Sequence, residues 1–524
     1  MKKTQKIFSL ILALIITLSV CACNAEAPND KAEDYFDGNS PIGDVGETPT
    51  NIYGEESFDT AKPDGTLKEN PFIKVEENYT STFSADVDTA SYTFLRKMIN
   101  AGYSLDELRA MAEANLLRTE EIVNYFDYGY AQAEEGEMFG TKATIAKSPW
   151  RDDTYLLMLG IKAKEVEQRT ANNLVFLIDV SGSMNSPDKL PLLQQAFSYL
   201  TDQLGENDTV SIVTYAGNER VVLEGAEGSK KEIILNAINT LNAGGSTNGE
   251  AGIVKAYELA ERYYNPDGNN RIILASDGDL NVGIRDPERL EKLVEDKRKS
   301  GVFLSVLGFG SGNFRDDNMS AIAQTGNGVY HYIDCAAEAE HIFTDSLLST
   351  IYTVAKDVKF QLSFDKDYVK EYRLIGYENR LLSNSDFNDD TKDAGEVGSG
   401  HTLTVCYELK LTDAALNGTD EGGTDNDEQA NWMELSIRYK QPDSAASELR
   451  EIMLGEEHVT STPDDDFKFV CAAIEFAMLI RNSRYRDVAT TLEDIENDLS
   501  GINISESQSG LLELIRQLRQ NENK

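Results

Sequence analysis

Four short apolar runs in the middle of the chain set the strongest limit on its fold: LVFLI (174–178), TVSIVTY (209–215), RIILAS (271–276) and VFLSVLGFG (302–310). A strand that is apolar at successive positions has no face to offer to water, so both of its faces must be covered. Helical stretches separate most of these runs. Buried strands alternating with helices predict an α/β domain with a doubly wound, mostly parallel sheet, here spanning 169–352. In an open sheet of this kind, ligands sit at the carboxyl ends of the strands. The residues just after the runs are therefore the candidates for function.

The flanks carry a different signal. TYLLMLGIKA (154–163) closes a stretch of strand patterning that begins at 139, and KDVKFQLSF (356–364) alternates strictly. Val358, Phe360, Leu362 and Phe364 point one way, and Lys359, Gln361 and Ser363 the other. HTLTVCYELKL (401–411) and NWMELSIRYK (431–440) alternate similarly. Alternation of this kind marks half-buried antiparallel strands. Strands at 136–168 and 353–457 on either side of the α/β block predict one β-sandwich with an inserted domain. Helical regions at 76–135 and 458–524 flank the sandwich in turn. In the first, Asp88 is the expected N-cap, Tyr92, Leu95 and Ile99 share a face, and Gly102 is the stop. A second helix is expected near Leu105–Phe126, with Leu116, Ile122 and Phe126 in the core. In the tail, Phe467, Val470, Cys471, Ile474 and Met478 form a stripe over 465–481, and another helix covers Ser509–Arg519.

Residues 1–22 read as a signal peptide. Lys2, Lys3 and Lys6 precede an apolar run from Ile7 to Val20, shorter than the roughly 20 residues a membrane span needs. The segment ends like a bacterial lipobox, with Ala22 before Cys23, so a diacylglycerol on Cys23 would tether the protein outside the membrane. The alternative is an ordinary secretory leader with incidental cysteines. Residues 23–75 then form an acidic linker, with 12 acids and three lysines between Asn24 and Asn70 and no sustained period. Cys335, Cys406 and Cys471 are too few and too widely spaced for a disulfide framework or a zinc site, and read as small core hydrophobes. A net charge of −41 argues against nucleic acid as a partner and against docking on anionic lipid through a basic patch.

The chemistry gathers after the apolar runs. IDVSGSM (178–184) sets Asp179, Ser181 and Ser183 at alternate positions around Gly182. GGSTNG (244–249) carries Thr247, and SDG (276–278) carries Asp277. Hydroxyls and two carboxylates, with no His or Cys, form a hard-oxygen donor set. Mg²⁺ or Mn²⁺ takes six such oxygens in octahedral geometry and keeps waters among them. Few of these donors are charged, so a bound ion stays electrophilic and an outside carboxylate could complete its shell. The alternative is a polar turn in which Asp179 caps the next helix.

In pattern and order these residues resemble the metal-ion-dependent adhesion site of the von Willebrand factor type A (VWA) domain. That resemblance implies that Ser181, Ser183 and Thr247 touch the metal, and that Asp179 and Asp277 hold it through waters or hydrogen bonds. STFSADVDTASY (81–92), RTEEIVNYFDY (118–128), RLIGYENR (373–380) and DFNDDTKDAGEVGSGH (386–401) resemble the bacterial VWA lipoproteins of the YfbK type, from about Tyr79 to the C-terminus. That family implies an extracytoplasmic VWA protein with N- and C-terminal regions of its own, and no particular activity. Glu250 departs from the small residue expected three places after Thr247. It either tunes the charge at the metal or opens the next helix, where an acid is favoured.

Other motifs carry less. Asp386, Asn388 and Asp390 open like a calcium loop, but Thr391 and Val397 stand where Gly and Glu are needed. The Gly- and Asp-rich stretch 417–428 is a second weak calcium candidate, and Asp86 and Asp88 read as helix caps. Ser186 and Lys189 make a Ser-x-x-Lys without its partner motifs, and there is no nucleophile elbow, dinucleotide fingerprint or P-loop. His331, His341, His401 and His458 are isolated. The sequence thus points to a non-enzymatic, membrane-anchored VWA protein that binds a carboxylate-bearing protein ligand through Mg²⁺ or Mn²⁺, with no nucleotide. An envelope scaffold with a structural metal, or less favourably a metal-assisted hydrolase, is the alternative.

Overall fold

The computed structural model describes residues 68–113, 117–166, 169–245, 249–278, 287–310, 316–344, 346–392, 394–417, 430–442, 444 and 446–522. Cys23, the leader, the linker up to residue 67, Leu116, Thr247 and the 418–429 stretch lie outside the described residues.

Strands β1 (Ile73–Lys74) and β2 (Thr80–Ser84) precede helices α1 (Ala90–Asn100), α2 (Leu105–Glu113) and α3 (Thr119–Val123). Strands β3 (Phe139–Lys147) and β4 (Tyr155–Ala163) follow. The central block opens with β5 (Asn172–Asp179), α4 (Leu190–Gln203), β6 (Thr209–Tyr215), β7 (Glu219–Glu227), α5 (Lys231–Asn239) and α6 (Gly249–Arg262). It continues with β8 (Asn269–Ser276), α7 (Pro287–Arg298), β9 (Phe303–Phe309), α8 (Asp316–Thr325), β10 (Tyr330–Ile333), α9 (Ala336–Thr344) and α10 (Leu347–Ile351). Then come β11 (Thr353–Phe364), β12 (Val369–Ile375), β13 (Gly395–Gly398), β14 (Thr402–Leu411), α11 (Asp413–Asn417), β15 (Asn431–Lys440) and β16 (Ser447–Gly455). The tail is α12 (Asp465–Ile480), α13 (Leu492–Ser500) and α14 (Glu506–Glu522).

Among the described residues the central block forms a sheet in the order β10-β9-β8-β5-β6-β7. All its pairings are parallel except that of the edge strand β7. All of β5 is buried. Leu174, Phe176 and Ile178 face one layer, with Phe197 of α4 and Phe343 of α9. Val175 and Leu177 face the other, with Ile253 of α6. Successive side chains alternate between two cores, which is why the run shows no polar alternation. Each fully buried large side chain contributes roughly 1.5–3 kcal/mol.

The flanking strands build the expected sandwich. One sheet runs β1-β12-β14-β4-β3 and the other β13-β11-β15-β16, with β2 also paired to β11. Leu157, Leu159, Leu403, Val405 and Tyr407 of the first meet Val358, Phe360, Leu362, Leu435 and Ile437 of the second. The helical segments cover the far face of the first sheet and one face of the central block. Phe94 of α1 stands edge-on to Tyr332 of β10, with centroids 5.7 Å apart.

Several local expectations are corrected. Residues 80–84 are a strand, buried throughout and paired with β11. The expected helix over 105–126 is two separate helices, α2 and α3. Asp88 does not cap α1: Thr89 takes that position and makes no side-chain cap. The carboxylate of Asp88 is drawn away by Arg380 and by the backbone of Tyr330. Strand β14 is not half-buried, because Thr404, Cys406 and Glu408 on its second face are buried as well. Lys359 is also buried, with its ammonium donating to the carbonyls of Asp386 and Asp389. Cys406 and Cys471 are core residues, whereas Cys335 is half-buried. Gly102 does end α1, with φ of 94°.

Candidate metal centre

Strand β5 delivers Asp179 to the carboxyl edge of the sheet, where it is fully buried. One carboxylate oxygen accepts the Ser181 amide at 2.8 Å, and the other accepts the Ser276 hydroxyl from the end of β8 at 3.2 Å. Asp179 therefore braces its own loop against the neighbouring strand. A single 3₁₀ turn at Gly182–Met184 brings the hydroxyls of Ser181 and Ser183 to 2.9 Å from each other. Asp277, one residue past β8, is also buried. The amide of Gly182 donates to Gly245 and that of Gly244 to Val180, at 3.1 and 2.7 Å. Gly245 has φ of 89°, a conformation that glycine adopts without strain. These bonds pin the stretch leading towards Thr247 to the same rim, although Thr247 itself lies outside the described residues.

Four of the five expected residues thus converge at one edge. Burial raises the Asp179 carboxyl to about 6; the Ser181 hydrogen bonds oppose that shift and the charge of Asp277 adds to it. Tyr215, beside Asp179 at the end of β6, has its hydroxyl pKa pushed well up by burial, and then by the Asp179 charge. The donors are all oxygens, two of them hydroxyls, and they fit a hard divalent cation. Among the described residues, no group of three or more His, Cys, Asp or Glu side chains is placed to hold a metal.

One residue at the rim was missed. The Lys189 ammonium donates to Asp277 Oδ2 at 2.8 Å and to the Ser183 carbonyl at 3.0 Å. Its sequence signal was the Ser-x-x-Lys spacing, but Ser186 turns to Asp188 instead. Glu250 lies in the first turn of α6 and pairs with Arg289 at 3.2 Å, as a helix-opening acid does.

The other candidates do not form sites. Asp390 is held by Arg438 and Ser447, and Asp386 accepts the Ser383 amide, so the calcium-like acids do not point to a common centre. Burial lowers the pKa of His331 to about 3 and that of His401 to about 4. Asp86 and Asp88 instead join a buried ion network that gathers three of the signature segments. Arg380 is bidentate to Asp86 at 2.9 and 3.0 Å and reaches Asp88 at 3.2 Å. Asp88 in turn accepts the Tyr330 amide and the Ser320 hydroxyl, both from the central block. Arg118 pairs with Glu121 at 2.7 Å, and Arg481 with Glu378 at 3.2 Å. These segments fasten the framework to the inserted domain.

A six-stranded α/β sheet with a serine pair and two aspartates at its carboxyl edge defines a von Willebrand factor type A domain, and residues 173–346 match the family of that description. Residues 61–158 match "von Willebrand factor", and residues 349–521 match "Uncharacterized protein YfbK, C-terminal". The chain is 38% identical to Uncharacterized protein YfbK of Escherichia coli over 477 residues, which cover 87% of this chain and 81% of that one. The chain belongs to the YfbK family. It is also 30% identical to the pig inter-alpha-trypsin inhibitor heavy chain H4 over 156 residues, 28% of this chain and 17% of that one. Among solved structures, a von Willebrand factor type A protein from Catenulispora acidiphila aligns with 67% of this chain and 80% of its own, at 17% identity and a TM-score of 0.40.

Proposed function

We propose that this protein is a lipid-anchored, extracytoplasmic binding module that engages its partner through a divalent cation, Mg²⁺ or Mn²⁺. The cation would be held by Asp179, Ser181, Ser183, Thr247 and Asp277. The observation that carries this reading is the pair of serine hydroxyls 2.9 Å apart beside two buried carboxylates. When bound, the ion supplies an electrophilic position that an Asp or Glu carboxylate of a protein partner completes. The chain's own residues do the remainder. Asp179 fixes the serine loop, Ser276 fixes Asp179, and Gly182 and Gly244 hold the loop that leads to Thr247. The reading is non-catalytic: it asks the rim only to hold the cation, with Asp179 and Asp277 fixed by the Ser181 amide and by Lys189. The anchor reading rests on the basic, apolar leader and on Cys23, and the acidic balance turns the choice of partner away from nucleic acid.

A thermal melt of the full chain in EDTA, Mg²⁺, Mn²⁺ or Ca²⁺, beside a Ser181→Ala/Ser183→Ala variant, tests the site. A ligand at 100 times its Kd stabilises the native state by about 2.7 kcal/mol. The expected result is a rise in Tm with Mg²⁺ or Mn²⁺ that the variant lacks. Equal melts in EDTA and in metal would overturn the reading.

A further inference from the structure

Lys189 touches two of the candidate ligands, yet the proposed function gives it no part. It stands just before α4 and is buried. Its ammonium bridges the Asp277 carboxylate and the Ser183 carbonyl. Its aliphatic stem runs along Gly310, at the carboxyl end of β9. A Cβ at position 310 would lie 2.3 Å from the lysine Cε, so any other residue there would make the stem shift from this path. Strands β8 and β9 are parallel neighbours, with Ser276 opposite Gly308. The lysine therefore reaches from α4 across the edge of the sheet to the ends of two adjacent strands.

Its surroundings hold it there. The Gly310 carbonyl accepts the Tyr332 hydroxyl. Lys97 of α1 lies over the Tyr332 ring, 5.6 Å from its centroid, and pairs with Asp188 at 2.7 Å. The residue before Lys189 is thus clamped from the N-terminal helix.

Without the lysine, the described rim would carry two carboxylates. With it, one of them is already matched by a fixed positive charge. That charge would also repel a divalent ion held by these residues, and the repulsion is stronger at a buried group than in water. We propose that Lys189 is a positioning residue that neutralises Asp277 and lowers the affinity of the site for a divalent cation alone. The inference rests on the metal-site reading above.

The test is a titration of the full chain with Mn²⁺, followed by calorimetry and by the electron paramagnetic resonance signal of unbound ion. Lys189→Met should bind Mn²⁺ about tenfold more tightly than the parent. Lys189→Gln, which keeps a donor but no charge, should do the same and stands in if the methionine variant does not fold. Lys189→Arg should stay near the parent. Folded Met and Gln variants that bind Mn²⁺ equally or more weakly would overturn the role of Lys189 and leave the metal site standing. Mn²⁺ binding by none of the chains, parent included, would overturn the metal-site reading itself.

Discussion

Asp179 and Glu120 are both buried acids, but only one announces itself in the sequence. Asp179 sits in a spaced pattern of hydroxyls after an apolar run, and that spacing marks it as part of a site. Glu120 lies in the first turn of a helix, where an acid looks like an ordinary dipole partner. In the structure it is buried, and neither of its carboxylate oxygens has a hydrogen-bond partner among the described residues. Burial raises its pKa to about 8, and the charges of Glu378, Asp86 and Glu121 push the same way. The sign of the pH effect follows. The folded pKa exceeds the usual 4.5, so the folded state holds a proton that the unfolded state releases. This contribution is fully present below pH of about 4.5 and is lost as pH rises towards 8. Glu120→Gln should therefore be more stable than the parent at pH 8 and about equal to it at pH 4.5 in urea unfolding. Equal stability at pH 8 would show that the carboxyl is not held protonated. Lys189 showed in the sequence only as a Ser-x-x-Lys spacing, whereas its pairing with Asp277 depends on strand order.

At the scale of elements, legibility followed burial on both faces. Strands β5, β6, β8 and β9 read directly from their apolar runs, since both faces are buried and polar residues such as Ser211, Arg271 and Ser305 are few in them. Strand β2 did not, because TSTFS has no apolar period and is buried by its neighbours, not by its own composition. Strand β14 was placed correctly but its second face was misjudged. Polar Thr404 and Glu408 looked solvent-facing, yet Thr404 meets the Tyr130 hydroxyl, and Glu408 accepts from Arg373, Trp150 and Thr154. The helical layer that covers them turns on Phe469 of α12, whose ring meets Phe126 edge-on at 4.9 Å. Phe469→Ala should cost about 3–5 kcal/mol in denaturant unfolding. A loss below 1 kcal/mol would mean that this layer is not part of the cooperative core.

At the scale of the whole molecule, the insertion was legible because strand alternation stops at one end of the central block and resumes at the other. The junction was not legible, since it is made by residues far apart in sequence. Asp88 reaches Ser320 and Tyr330, and Arg96 reaches Asp334 and Glu338 at 2.5 and 2.7 Å. A buried charge left without its partner is costly, by about 3–5 kcal/mol. Arg380→Ala strips Asp86 and Asp88 of their guanidinium. It should split the calorimetric unfolding of the parent, expected as one peak, into two; a single peak in the variant would show that the two parts do not rely on this contact. The two ends of the insert are also tied to each other: the Tyr352 hydroxyl donates to the Thr170 carbonyl and accepts from Asn172. This has a mechanical consequence. A pull on the serine rim against the framework does not draw residues 170 and 352 apart, because Tyr352 holds them side by side. Tension between insert and framework then loads its two chain connections together and does not peel the inserted sheet from one end.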